Sequence, residues 1–241
     1  MNYLVAVVTG ASQGVGAAIA ARLAQMDFHV CLLARDRVAL EDVKDRIVAT
    51  GGSAFVYACD VAAPEQVERV AAEVLRVHGR CDVLVNNAAI GMTNAPVQEL
   101  SVADWDAMMD TNLRGPFLML RAFAPAMIAR GGGHIINIGS LAGKNPLPKG
   151  AAYAASKWGL LGLMLSAAEE LRQHGVRVSV VSPGSIATDF GGKRAFGYQS
   201  TDDSWKIAPE DIAEVVAQIA AQSDRSFVSE ILVRPLRKPP R

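Results

Sequence analysis

Net charge is absent from this chain: 24 Lys and Arg are balanced by 24 Asp and Glu. No global field attracts a polyanion or an anionic bilayer, so nucleic acid and membrane surfaces are excluded as expected partners. Long apolar runs are also missing. The first one, in "MNYLVAVVTG", has no basic leader and stops at Thr9-Gly10, which fits neither a signal peptide nor a spanning helix. Cysteine is scarce, and the spacings of Cys31, Cys59 and Cys81 match no metal motif. The expectation is a cytoplasmic protein with buried, reduced thiols and no metal. Repeats, low-complexity tracts and long Pro/Gly linkers are lacking as well, so 241 residues are read as one domain spanning 1–241.

What the chain does contain is an alternation. Short β-branched runs, "YLVAVVTG", "HVCLLAR", "SAFVYACD", "CDVLVNN", "GHIINIGS", "VRVSVVSPG" and "SEILVRP", are separated by stretches that read as helices. The helices are expected near 14–27, 36–49, 64–78, 101–130, 151–174 and 209–222. Strands that are continuously apolar are covered on both faces, which is the behaviour of parallel strands. The fold class is therefore α/β, a doubly wound, seven-stranded parallel sheet of the Rossmann type with helices on both faces. The loops 88–100, 141–150 and 185–208 each follow a strand, and in such a sheet they should ring one crevice.

The first strand runs into "TGASQGVG" and then a helix. Gly10 suits a tight turn, Gly14 a close backbone approach to phosphate, and Gly16 close packing of helix on sheet. A helix N-terminus at this point offers free N–H groups to a dinucleotide pyrophosphate. A P-loop is ruled out, because Val15 and Gly16 stand where that motif needs Gly and Lys. The second strand ends "LLAR", with Arg35 where an NAD enzyme tends to place an acid. A guanidinium there can grip a 2′-phosphate, which favours NADP(H) over NAD(H); pairing of Arg35 with the adjacent Asp36 is the alternative.

"YAASKWGLLGLM" places Tyr153 and Lys157 four residues apart, on one helical face. Together with "TGASQGVG", "NNAA" at Asn86–Ala89, "DTNLRGPF", "IINIGS" and "PGSIATDF", this pair resembles the short-chain dehydrogenase/reductase family over residues 3–190. The resemblance implies that Tyr153 is the general acid or base and that Ser140 holds the substrate oxygen. It further implies that Lys157 serves both cofactor and Tyr153, and that Asn112 supports a water relay. The expected activity is reduction of a ketone or aldehyde, or oxidation of the alcohol. A free tyrosine has a pKa of about 10, so a nearby cation, Lys157, is expected to lower it toward useful values.

The same resemblance implies a wider set of cofactor contacts: Gly10, Ser12, Gln13, Gly14, Val15 and Gly16 in the loop, and Arg35 at the ribose. Asp60 and Val61 would meet the adenine, and Asn87 and Ala88 the nucleoside. Tyr153 and Lys157 would also touch the cofactor, as would Pro183, Gly184, Ile186 and Thr188, the last bonding the carboxamide. Ala89 departs from the family's usual Gly without an expected loss of binding. The helices near 104–130 and 151–174 are apolar nearly all round, which the resemblance explains by a homodimer or homotetramer interface, with intrachain burial alone as the alternative. Residues 187–206, with Phe190, Phe196, Tyr198 and Trp205, are either a lid over an apolar substrate or an ordinary surface loop. Lys144 and Lys149 are either solvated or aimed at an anionic substrate. A silent cofactor-binding sensor and an epimerase-type relative are the rival readings; the first would have lost Tyr153, Lys157 or Ser140, and the second needs more chain after residue 190.

Overall fold

The computed structural model describes residues 3–91, 94–188, 190 and 203–237. Seven strands, β1 (Leu4–Thr9), β2 (Phe28–Ala34), β3 (Ser53–Ala58), β4 (Val83–Asn86), β5 (Gly133–Ile138), β6 (Val176–Pro183) and β7 (Glu230–Val233), form one sheet in the order β3-β2-β1-β4-β5-β6-β7. Every neighbouring pair is parallel, as the unbroken apolar strands require. Residues Val5 to Val8 are wholly buried. Side chains alternate between two cores, with Val5 and Val7 in one and Ala6 and Val8 in the other.

Helices α1 (Gly14–Ala24), α2 (Arg37–Ala49) and α7 (Pro209–Ala220) cover one face, through Ile19, Leu40 and Ile212 among others. The other face is covered by α3 (Pro64–His78), α5 (Gly115–Arg130) and α6 (Ala151–Leu171), through Val70, Phe123 and Met164. Local signals set the helix ends. Pro64 opens α3, and Gly79 closes it in the left-handed conformation at φ 73°. Asp36 caps α2 by accepting from the Ala39 amide at 3.1 Å.

The single helix expected over 101–130 is three pieces: α4 (Val102–Met109), a π-helical turn at Asp110–Arg114, and α5. Proline supplies the reason. Pro116 has no N–H to give the Asn112 carbonyl four residues earlier, so the helix widens and the Gly115 amide bonds the Asp110 carbonyl instead. That turn carries Asn112.

The strand order reverses direction between β1 and β4, which opens a crevice at their carboxyl ends. The opposite edge is locked. Asp82, just before β4, accepts from the Val5 amide at 2.8 Å, from Arg80 Nε and Nη2 at 2.7 Å each, and from Arg130 Nη2 at 2.6 Å. Its own backbone bonds Val5 and His134, so it joins β1, β4 and β5.

Burial pushes the Asp82 carboxyl up, but the bonds from Arg80, Val5 and Arg130 outweigh it and hold the group below the usual carboxylate range. A carboxyl held low in the folded chain contributes stability above its unfolded pKa of about 4 and loses it as pH falls through the folded value. Asp82→Asn is expected to cost about 1–3 kcal/mol in urea unfolding at pH 7. The gap between the two proteins should close as pH drops below about 4. A gap that persists unchanged at low pH would contradict this assignment.

Candidate active site

At the end of β1 the chain turns through Gly10 at φ 63° and Gly14 at φ 54°, both in the left-handed region that favours glycine. A Cβ on Gly10 would lie 2.8 Å from Ala88 Cα. Gly16 is required for a reason other than packing of α1 on the sheet: its Cβ would collide with the Gly10 carbonyl and the Asn87 amide. Gln13 is extended at the N-cap of α1 and its side chain bonds none of the helix amides. The first-turn N–H groups of Gly14, Val15 and Gly16 therefore keep their capacity for an anion, with Ser12 half-buried beside them.

Thr9 joins this loop to the one after β4. Its Oγ1 donates to the Val85 carbonyl at 3.3 Å and accepts from the amides of Asn87 and Ala88, each at 3.0 Å. Asn87 Nδ2 in return donates to the Thr9 and Gly10 carbonyls at 3.0 and 3.2 Å. Asn87 thus spends its side chain on the loop itself. Ala89, in place of the family's Gly, is not among the residues at positive φ, so its side chain strains nothing there. Asn86 bonds Asn137 of β5 at 2.9 Å, bracing the neighbouring strands at the same level.

Tyr153 lies in the first turn of α6 and is 5% exposed. Burial pushes its phenol up to about 12, and a hydrogen bond from Ser140 pulls the other way. Ser140 follows β5, and its Oγ also accepts from the Ala142 amide at 3.1 Å. Lys157 is 4% exposed, with Nζ 5.8 Å from the Tyr153 ring centre and bonded to the Ile138 carbonyl at 2.9 Å. Burial lowers this amine to about 8.

The expected lowering of Tyr153 by Lys157 is not what the folded chain shows. Desolvation is the largest influence on both groups, raising the phenol and lowering the amine. What the pair does provide is a buried donor: the Ile138 bond uses one N–H of the ammonium, and the others have no acceptor among the described residues. A buried amine with unspent donors suits a ligand diol, such as ribose hydroxyls.

Asn112, fully buried, spends its side chain on protein. Its Oδ1 accepts from the Ile90 amide at 2.8 Å, while Nδ2 donates to the Ile90 carbonyl at 3.0 Å and to Ser156 Oγ at 3.2 Å. Both Nδ2 hydrogens are used in this way, while Oδ1 keeps one further lone pair.

The outer cofactor positions lie along the same edge of the sheet. Arg35 is exposed and forms no ion pair among the described residues, and the alternative partner, Asp36, is occupied as the cap of α2. Asp60 follows β3; its Oδ1 accepts from the Ala62 amide at 3.0 Å, and Val61 beside it is buried against Gly115. Pro183 ends β6, Gly184 bonds the Val233 carbonyl, and Ile186 pairs with Ile207. Thr188 reaches across to the glycine loop, its Cγ2 lying 3.3 Å from where a Gly14 Cβ would be.

Met108, Ala152 and Tyr153 form a small apolar cluster, joined by Ile90, Leu147 and Phe190. The Phe190 and Tyr153 rings are 6.1 Å apart. Most of the proposed lid, including Phe196 and Tyr198, lies outside the described residues. Lys144, half-buried, is paired with Glu230 at 2.8 Å, whereas Lys149 is exposed in a turn at φ 59°. Phe117 of α5 with Trp158 and Leu165 of α6 leave apolar surface in solvent.

Sequence reasoning does not find Thr9 as a clip, the π turn, or Ser156. Pro116 is a readable signal for the turn.

The chain matches the short chain dehydrogenase family over residues 4–197. It is 54% identical to a metagenomic short-chain oxidoreductase solved in complex with NADP, with a TM-score of 0.85 and 98% of each chain covered. An alcohol dehydrogenase from the archaeon Thermococcus sibiricus, complexed with 5-hydroxy-NADP, is 30% identical with a TM-score of 0.90 over 100% of both chains. D-threitol dehydrogenase of Mycolicibacterium smegmatis is 38% identical over 189 residues, 78% of this chain and 72% of that one.

Thr9→Val keeps the shape and removes the acceptor shared by two amides. It is expected to cost about 1–3 kcal/mol of stability and to weaken dinucleotide binding in a fluorescence titration. Unchanged stability would show that the clip holds nothing in place.

Proposed function

The chain belongs to the short-chain dehydrogenase family, and we propose that it is an NADP(H)-dependent carbonyl reductase or alcohol dehydrogenase with Tyr153 as general acid and base. The observation that carries this reading is the stack itself: a buried phenol bonded by Ser140, above a buried amine with unspent donors. Ligand atoms are not needed to see what each group would do.

When bound, the nicotinamide cofactor supplies hydride to the substrate carbon. Tyr153 Oη, protonated through the neutral range, gives its proton to the substrate oxygen. Ser140 Oγ, its lone pair engaged by Ala142, directs its O–H at that oxygen as negative charge develops. Lys157 fits ribose hydroxyls, and the open N-terminus of α1 fits the pyrophosphate. Asp60, Val61, Asn87, Ala88, Pro183, Gly184, Ile186 and Thr188 border the same crevice and are proposed as its nucleoside and carboxamide walls.

The guanidinium of Arg35, which has no ion pair among the described residues, supports NADP(H) over NAD(H), because it can meet a 2′-phosphate. The apolar stripe of Phe117, Trp158 and Leu165 supports pairing of two chains through α5 and α6. The carbonyl substrate itself is left to the assay panel.

Tyr153→Phe is expected to abolish NADPH oxidation against a panel of aldehydes, ketones and diketones while leaving dinucleotide binding within about threefold, a difference worth roughly 0.7 kcal/mol. Binding without turnover by the wild type across the panel, in both directions, would favour a silent sensor. Arg35→Ala should raise the NADPH KM by about tenfold or more and leave NADH nearly unaffected; equal effects on both would sink the 2′-phosphate contact. Reduction should decline as pH rises past about 8, where Lys157 loses its charge. A flat profile to pH 10 would contradict that role.

A further inference from the structure

We propose that Ser156 is a positioning residue for the reaction: its hydroxyl ties the Asn112 carboxamide to α6, and through it holds the Ile90 wall against Tyr153. The inference rests on the reductase reading above. It draws on a group that none of the roles assigned so far uses.

Ser156 is fully buried in α6, three residues beyond Tyr153. Its Oγ donates to the Tyr153 carbonyl at 2.8 Å, and a carbonyl can only accept. The one hydroxyl hydrogen is thereby used. Toward Asn112, 3.2 Å away, Ser156 can only accept, so the carboxamide must turn its nitrogen to Ser156. The opposite rotamer would set two lone pairs against each other in a buried site.

With the nitrogen fixed, the rest of the carboxamide follows. Oδ1 faces the Ile90 amide, and the second N–H faces the Ile90 carbonyl. Both backbone groups of Ile90 are thus held by one side chain on the π turn. Ile90 in turn packs into the cluster of Met108, Ala152 and Tyr153. Three elements, the loop after β4, the π turn and α6, are clamped where the proton is transferred.

Loss of the Ser156 hydroxyl leaves one buried Nδ2–H without an acceptor, and the carboxamide is then held only by its two bonds to Ile90. The clamp meets the proposed dinucleotide positions only through the Tyr153 backbone and the packing of Ile90 on that residue, so cofactor affinity should change far less than kcat.

The test is a double-mutant cycle of Ser156→Ala and Asn112→Ala in the full chain, with Ser156→Cys as the conservative variant. Three quantities are read: kcat and KM on one carbonyl substrate, NADPH affinity, and hydrogen exchange at the Ile90 amide by NMR. Expected is a fall in kcat of about tenfold for Ser156→Ala, smaller for Ser156→Cys, with NADPH affinity within about threefold. The double variant should be no slower than Asn112→Ala alone, and Ile90 exchange should quicken in Ser156→Ala. Additive losses, or Ile90 exchange unchanged in a folded Ser156→Ala, would overturn the proposal. If no carbonyl is turned over by the wild type, the reductase reading fails, while the exchange measurement still decides whether the clamp exists.

Discussion

Burial of an amine is the constraint on which the site depends. Lys157 sits inside the protein at 4% exposure with a single carbonyl as hydrogen-bond acceptor among the described residues, and burial draws its pKa down to about 8. A methionine would fill such a place at lower cost in desolvation. That the chain keeps a lysine there, beneath Tyr153 and one turn along the same helix, is intelligible if its remaining donors meet a ligand. The desolvation that burdens Lys157 also keeps Tyr153 protonated, ready to give its proton away.

The sheet divides the work between its two edges. At the amino edge Asp82 joins β1, β4 and β5 through two arginines and a backbone amide, which fixes the strands in register. At the carboxyl edge, where the order reverses, the strands end in polar groups that bond one another across the gap: Thr9 with Asn87 and Ala88, and Asn86 with Asn137. A rigid floor is the result, and the helix N-terminus, the phenol and the serine are mounted around it. Precision at the site then comes from the sheet, while the substrate side is built of loops.

Much of this is legible in the sequence, because the signals are local. Continuous apolar strands announce a parallel sheet, and Gly10 announces its own turn. The i to i+4 spacing of Tyr153 and Lys157 places them on one face of a helix. The parts that are not legible depend on partners far apart in the chain. Thr9 and Asn87 meet across 78 residues, and Asn112 and Ser156 across 44. Asn87 reads as a ligand contact in the sequence, which gives no sign that its Nδ2 also ties the Thr9 and Gly10 carbonyls. Gly16 stands out in the sequence as a site of close helix packing, yet its nearest obstacle is a carbonyl of its own loop. The effect of Lys157 on Tyr153 escapes the sequence, because charge proximity can be read from spacing and depth of burial cannot.

The affinity of Lys157→Met for NADPH, measured by fluorescence titration beside the wild type, decides whether the buried amine serves the cofactor. The expected result is a folded protein, by circular dichroism and thermal unfolding, whose affinity is weaker by about tenfold or more, since charge-assisted hydrogen bonds contribute roughly 1.5–3 kcal/mol each. Unchanged affinity in a folded variant would mean that the buried donors are not aimed at the cofactor, and the burial of the amine would lose its explanation.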